Sequence, residues 1–133
     1  MRKWLNGTFL NTAFSDSEKV MISNVTVSAD KNPEYSTNPG NSTKDQVFLL
    51  SIREANKYFT SSSALQCQGT AYCYEQGAYK ASNGNCCWWL RSPGSSSYNA
   101  AFVDDGGSVG NFGNYVSYNF NAVRPALWID LEF

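Results

Sequence analysis

Ala100-Ala101-Phe102-Val103-Asp104-Asp105-Gly106-Gly107-Ser108-Val109 reads as a β-hairpin, and it decides the fold class. Two short apolar runs flank Asp104-Asp105-Gly106-Gly107, whose acids and glycines supply the turn chemistry that reverses a strand. Such a hairpin needs partners, because two strands alone are marginal in water.

The hairpin lies inside a longer window, Ser95 to Asn121, of unusual composition. It carries Ser95, Ser96, Ser97, Ser108 and Ser117, with Asn99, Asn111, Asn114, Asn119 and Asn121. Tyr98, Phe102, Phe112, Tyr115, Tyr118 and Phe120 are interleaved, and the window holds no Lys or Arg. Aromatic rings give contact area at low entropy cost, and small polar residues give adaptable hydrogen bonds, as in evolved paratopes. Ordinary turns use many of the same polar residues, but six aromatics in a polar stretch favour a recognition surface. The candidate ligand-contacting residues are Ser97, Tyr98, Asn99, Asn111, Phe112, Asn114, Tyr115, Ser117, Tyr118, Asn119 and Phe120. The rings would anchor, and the amides and hydroxyls would donate and accept.

Rigid-looking segments bracket this window: Trp88-Trp89-Leu90-Arg91-Ser92-Pro93-Gly94 before it and Ala122-Val123-Arg124-Pro125-Ala126-Leu127-Trp128-Ile129 after it. The tryptophans read as core. Arg91 and Arg124 read as framework cations whose forks satisfy carbonyls or an acid such as Asp104. Val123 to Leu131 is expected to be a last apolar strand, with Pro125 at a bulge or edge.

Further upstream, Arg2 to Phe14 is an amphipathic segment with Trp4, Leu5, Phe9 and Leu10 on one helical face. Ser15-Asp16-Ser17-Glu18 and Ser51-Ile52-Arg53-Glu54 are capping boxes, the second opening a helix through Tyr58 or Phe59. Val20 to Ala29 alternates well enough for a strand, and Gln46 to Leu50 is an apolar run of strand length. Asp30 to Lys44 reads as an exposed loop and Thr60 to Asn85 as irregular. The expected fold is α+β: two helices, a small twisted antiparallel sheet and long irregular loops in one domain over residues 1–133.

Composition narrows the function. With 133 residues and 42% hydrophobic content, the chain can bury roughly two-thirds of its extended surface. Its net charge is −1, and beyond Lys80 the only cations are Arg91 and Arg124. No basic stripe exists for phosphates, so nucleic acid is not an expected partner. The absence of histidine removes the commonest general base and metal ligand. No apolar run approaches the ~20 residues of a membrane span, and Met1 to Asn6 lacks a signal-peptide apolar region. No cofactor or metal is expected. Asp104-Asp105-Gly106 lacks the alternating acids of a calcium loop.

Cys67, Cys73, Cys86 and Cys87 allow three pairings. Free thiols, one disulfide joining Cys73 to the vicinal pair, and a metal site remain open, although adjacent cysteines make poor tetrahedral zinc geometry. Asn6, Asn24 and Asn41 head Asn-x-Ser/Thr sequons.

A more specific set recurs in order. It comprises Arg2-Lys3-Trp4-Leu5-Asn6, Gln46-Val47-Phe48-Leu49-Leu50-Ser51 with Glu54-Ala55, Tyr58-Phe59, and Cys67 with Thr70-Ala71-Tyr72. Trp88 to Gly94 and Val123 to Ile129 complete it. Over essentially the whole chain this set resembles a family of uncharacterised domains common in Gram-positive gut bacteria and their phages. That family is similar to the C-type-lectin-like fold of the formylglycine-generating-enzyme and sulfatase-modifying-factor group. There, a Gly-Phe-Arg-like strand closes the domain as Ala122-Val123-Arg124 would here.

The same fold serves as the variable protein of diversity-generating retroelements. Their adenine-directed copying turns template Asn codons into Asn, Ser, Tyr, Asp, Gly and Phe codons, the types that dominate residues 95–121. The resemblance thus implies a non-enzymatic receptor or adhesin module on a cell surface or phage particle, with a variable region at residues 95–121. Its partner would be a protein or glycan ligand.

In the resembling family a longer stretch forming the first strands precedes Trp-Leu-Asn, whereas here only Met1, Arg2 and Lys3 precede Trp4. The resemblance therefore implies a minimal version, an excised piece, or a domain lacking N-terminal strands whose sheet a partner chain completes. Two alternatives stand beside the receptor. One is a cysteine oxidase like the formylglycine-generating relatives, with Cys86-Cys87 as its copper-binding pair. The other is a structural domain whose aromatic window forms a homo-oligomer interface. The sugar-coordinating triplets of calcium-dependent lectins are absent.

Overall fold

Ser15 and Ser51 each open a helix, for the reason their sequence context implies. Each hydroxyl accepts the backbone N–H of the glutamate three residues on, and that glutamate's carboxylate accepts the serine's own N–H. Two orphan donors are thereby satisfied at each helix start. The computed structural model describes residues 1–132. They divide into two compact units, one of Met1–Ala29, Gly40–Leu49 and the residues from Pro125 on, the other of Asp30–Pro39 and Leu50–Arg124. No helix among the described residues is long and apolar enough to cross a membrane.

In the first unit, α1 (Arg2–Trp4), a π-helical turn (Leu5–Phe9) and α2 (Leu10–Ala13) follow one another directly, ahead of α3 (Asp16–Met21). Leu5 and Leu10 are buried while Trp4 is exposed. Strands β1 (Val25–Val27) and β2 (Thr43–Asp45) pair antiparallel, with Val25 opposite Asp45. Buried Asp45 accepts from the Arg2 guanidinium at 2.8 Å and from Thr43 Oγ1 at 2.6 Å.

The apolar run at 46–50 does not form the expected strand. Asn6 Oδ1 takes the N–H groups of Gln46 (2.9 Å) and Val47 (3.0 Å), and Asn6 Nδ2 donates to Val47 O at 2.8 Å. A side chain thus occupies the ladder positions, and the pairing that remains is an isolated bridge of Phe48 with Ala126. The same contacts commit the amide of the first sequon. The expected last strand is likewise reduced to single bridges, Ala126 with Phe48 and Ile129 with Ile22. Pro125 has no N–H to extend a ladder, and Trp128 and Ile129 are exposed.

In the second unit, α4 (Ile52–Tyr58) lies against β3 (Trp88–Pro93), the first strand of an antiparallel sheet ordered β3-β4-β5, with β4 Asn99–Val103 and β5 Val109–Tyr115. The hairpin forms where the sequence places it. Asp104 N donates to Ser108 O at 2.9 Å, and Asp104 Oδ1 accepts the N–H groups of Gly106 (2.9 Å) and Ser108 (2.8 Å).

Ile52, Ala55, Leu65, Cys86, Trp88, Leu90, Ala101, Val103 and Ala122 form the core. Each fully buried aliphatic side chain contributes about 1.5–3 kcal/mol. Trp88 has no exposed surface, and its Nε1 donates to Leu65 O at 3.0 Å.

The segment expected to be irregular contains two short helices, α5 (Ser62–Leu65) and α6 (Ala71–Glu75). The hydroxyls of Ser61 and Thr70 cap them. The architecture is α+β, with six short α-helices and one π-helical turn among the described residues where two helices were expected.

Candidate functional site

The window is built on β4, β5 and the loops at their ends. Tight backbone contacts support it. Gly94 N donates to Asn99 O, and Ser95 N donates to Phe112 O, both at 2.8 Å. A Cβ on Gly94 would lie 2.3 Å from Phe112 O. On Gly113, at φ 86°, it would lie 2.6 Å from Ala100 O. Only glycine permits this approach, and the β4–β5 register shifts between Ala100 and Phe102 to accommodate it.

The rings stand on this base. Tyr98, Phe112, Tyr115 and Tyr118 are 69%, 63%, 52% and 42% exposed. Tyr118 lies edge-on to Tyr115 at 5.4 Å and tilted over Phe120 at 4.9 Å between centroids. Val116 N donates to Tyr98 O at 2.9 Å, bringing the turn before β4 beside the end of β5. Phe112 instead meets Tyr35 edge-on at 6.2 Å. Ser97, Ser117 and Asn119 are exposed.

The asparagines divide by role. Asn99 is buried, so it does not present the expected contact surface. It accepts from Ser96 Oγ at 3.0 Å and its amide reaches Gly113 O at 3.4 Å, tying the turn to β5. Asn114 Nδ2 donates to Asn121 Oδ1 at 3.3 Å, and Asn111 Nδ2 to Glu34 Oε1 at 3.0 Å. Buried Asn111 Oδ1 and Asn121 Nδ2 have no hydrogen-bond partner.

Two residues of the site escaped sequence reasoning, Asn32 and Tyr35, both in the stretch expected to be an exposed loop. Asn32 is 5% exposed; its Nδ2 donates to Pro93 O and Asn111 O, both at 2.8 Å. Its Oδ1 accepts the N–H groups of Glu34 at 2.9 Å and Tyr35 at 3.3 Å. The Asn32-Pro33 dipeptide was the available turn signal. An open hollow of about 550 Å³ runs along this stretch, residues 31–39, and includes Tyr35.

The arginines are framework residues: Arg124 Nη1 donates to a carbonyl, as expected, at Leu65 O (3.5 Å), and the acids that hold Arg91 are Glu54 and Asp30. Arg91 is held by Glu54, with its other nitrogen 3.1 Å from Glu54 Oε1 and 3.4 Å from Asp30 Oδ2. Asp30 in turn accepts from Ser51 Oγ at 2.6 Å. Arg124 sits over the Trp88 ring at 4.8 Å and the Phe59 ring at 5.0 Å. Such cation–π stacking is worth about 0.5–2 kcal/mol.

The vicinal cysteines face different neighbours: the Cys86 thiol meets Cys67, and that of Cys87 meets the Asp105 backbone. No group of three or more acidic, cysteine or histidine side chains among the described residues is placed to hold a metal ion.

A family model described as Domain of unknown function (DUF6273) matches residues 1–131. Comparison with curated proteins and with solved structures finds no match to either.

Proposed function

Since the chain belongs to the DUF6273 family along nearly its whole length, a family whose description assigns no activity, we propose from the site itself that it is a non-enzymatic ligand-binding module. In this reading it is a receptor or adhesin domain of C-type-lectin-like type, the variable protein of a diversity-generating retroelement. Its ligand is a protein or glycan at a cell or phage surface.

One observation carries the reading: four aromatic rings stand exposed on a backbone whose close contacts demand glycine at Gly94 and Gly113. Exposed apolar surface gathered into one patch, as at Tyr115, Tyr118 and Phe120, marks an interaction site. A rigid base with replaceable side chains suits diversification, because exposed positions change with little effect on stability. Ser97, Tyr98, Phe112, Tyr115, Ser117, Tyr118 and Asn119 are the contact residues. Asn99 belongs to the base.

Sequencing this locus across a population of the source organism tests the proposal. Substitutions confined to residues 95–121, at codons traceable to adenines in a nearby template, are expected. An invariant window removes the retroelement role and leaves a binder of fixed specificity. Sedimentation of the isolated domain separates ligand binding from self-association through the same rings.

A further inference from the structure

We propose that Cys67 and Cys86 are a covalent modification site, closing an intramolecular disulfide by exchange with a small-molecule disulfide such as oxidised glutathione. The inference is independent of the ligand reading.

The backbone places the two residues. Cys86 N donates to Cys67 O at 2.8 Å. A single N–H···O=C contact of this length holds the two Cα atoms about 5–6 Å apart, inside the roughly 4.4–6.8 Å that a disulfide spans. The side chains converge as well. Cys86 Sγ lies 3.3 Å from Cys67 O, so the buried thiol is turned toward Cys67, whose own thiol is near enough to help push it up. All four cysteines are free thiols in the structure.

Competing pairings are less favoured. Cys73 lies near both Cys67 and Cys86, but it sits on α6, whereas the Cys86 backbone is bonded directly to that of Cys67. Cys87 faces Asp105. The sequence-level option of joining Cys73 to the vicinal pair therefore yields to Cys67 with Cys86.

The two thiols differ in a way that orders the steps. Cys67 is half-buried, with its sulfur at the surface near Gln68 O. Cys86 is buried, and burial first, then the neighbouring thiols, pushes it up to about 11. The attacking sulfur must be reached by the oxidant, and Cys86 is buried, so Cys67 acts first. Its thiolate attacks one sulfur of oxidised glutathione, breaking that S–S bond, forming a mixed disulfide and releasing one glutathione thiolate. The Cys86 sulfur then attacks Cys67 Sγ, expelling the second glutathione thiolate, which carries away the Cys86 proton. Two protein thiols and one oxidised glutathione yield one protein disulfide and two reduced glutathiones.

The bond would enclose α6 and fasten the 67–85 stretch to the chain just before β3. It removes freedom from the unfolded chain, and it persists in the oxidising surroundings of exported proteins.

The test is disulfide mapping of the whole folded domain after equilibration with oxidised or reduced glutathione. Trypsin leaves Cys67 and Cys73 in the peptide Tyr58–Lys80, and Cys86 and Cys87 in Ala81–Arg91. In the oxidised buffer these peptides are expected linked, lighter by two hydrogens, with fragmentation placing the bond at Cys67 and Cys86. Cys73→Ser should keep the link and Cys67→Ser lose it. The thermal midpoint should rise on oxidation in the wild type but not in Cys67→Ser. Four alkylatable thiols after oxidation, a stable glutathione adduct at Cys67, or a bond through Cys73 or Cys87 overturns the proposal.

Discussion

Gly94 and Gly113 stand so close that a Cβ on Gly113 would lie 3.1 Å from Gly94 Cα. The same Cβ would press on Ala100 O, and Gly113 already holds φ at 86°. The backbone beneath the aromatic window is thus set by two residues with no side chain. Gly113→Ala should destabilise the domain by about 2–4 kcal/mol, combining left-handed strain with the carbonyl clash. Urea unfolding measures it, and a loss below about 0.5 kcal/mol would mean the bulge rearranges without cost.

Asn32 fastens residues 31–39 to the sheet through two carbonyls and two amides. Asn32→Ala strands the carbonyls of Pro93 and Asn111 and should cost about 2 kcal/mol. Amide hydrogen exchange at Glu34 and Tyr35 should speed up in the variant. Unchanged exchange at both positions would show that other contacts hold this stretch.

Tyr115 and Tyr118 touch each other edge-on, and both are about half exposed. Replacing both with Ala should abolish ligand binding, since exposed aromatic anchors dominate such interfaces. Stability should stay within about 1 kcal/mol. Binding is read by a pull-down or array screen against surface glycans and proteins, stability by thermal unfolding. Unfolding of the double variant would make the rings structural and move the site elsewhere.

The Cys86 thiol sits above its ordinary value of 9.0, at about 11, chiefly through burial. The folded chain keeps a proton that the unfolded chain releases, so this contribution is complete below pH 9 and is lost as pH rises through about 11. Burial pushes Cys73 and Cys87 the same way. The urea midpoint of the reduced domain should therefore fall between pH 9 and 11, and fall less steeply in Cys86→Ala. Equal slopes for the two proteins would remove Cys86 from the alkaline transition.

Local chemistry was legible without a structure. Ser15 with Glu18 and Ser51 with Glu54 cap helices because both partners lie within one turn of chain. Asp104 to Gly107 turns because its own carboxylate holds the amides that follow. The exposed rings were legible too: their density in a stretch without cations already indicated a surface where polar and aromatic residues mix.

What depended on distant chain was not. Gln46 to Leu50 has the composition of a strand, yet Asn6, about 40 residues earlier, occupies its amides. Nothing local to Asn32 says that its amide spans 61 residues to Pro93 and 79 to Asn111. Asn99 looks like every other asparagine in the window until its burial shows that it holds the turn.

By itself the sequence determined the α+β class, the helix starts at Ser15 and Ser51, the hairpin and the aromatic character of the window. Those follow from torsional preference and from hydrogen bonds closed within a few residues. Tertiary structure alone decided which polar side chains became framework, which arginine met which acid or ring, and which two cysteines adjoin. Each of those outcomes requires two segments far apart in the chain to meet, and only the packing of a shared core brings them together.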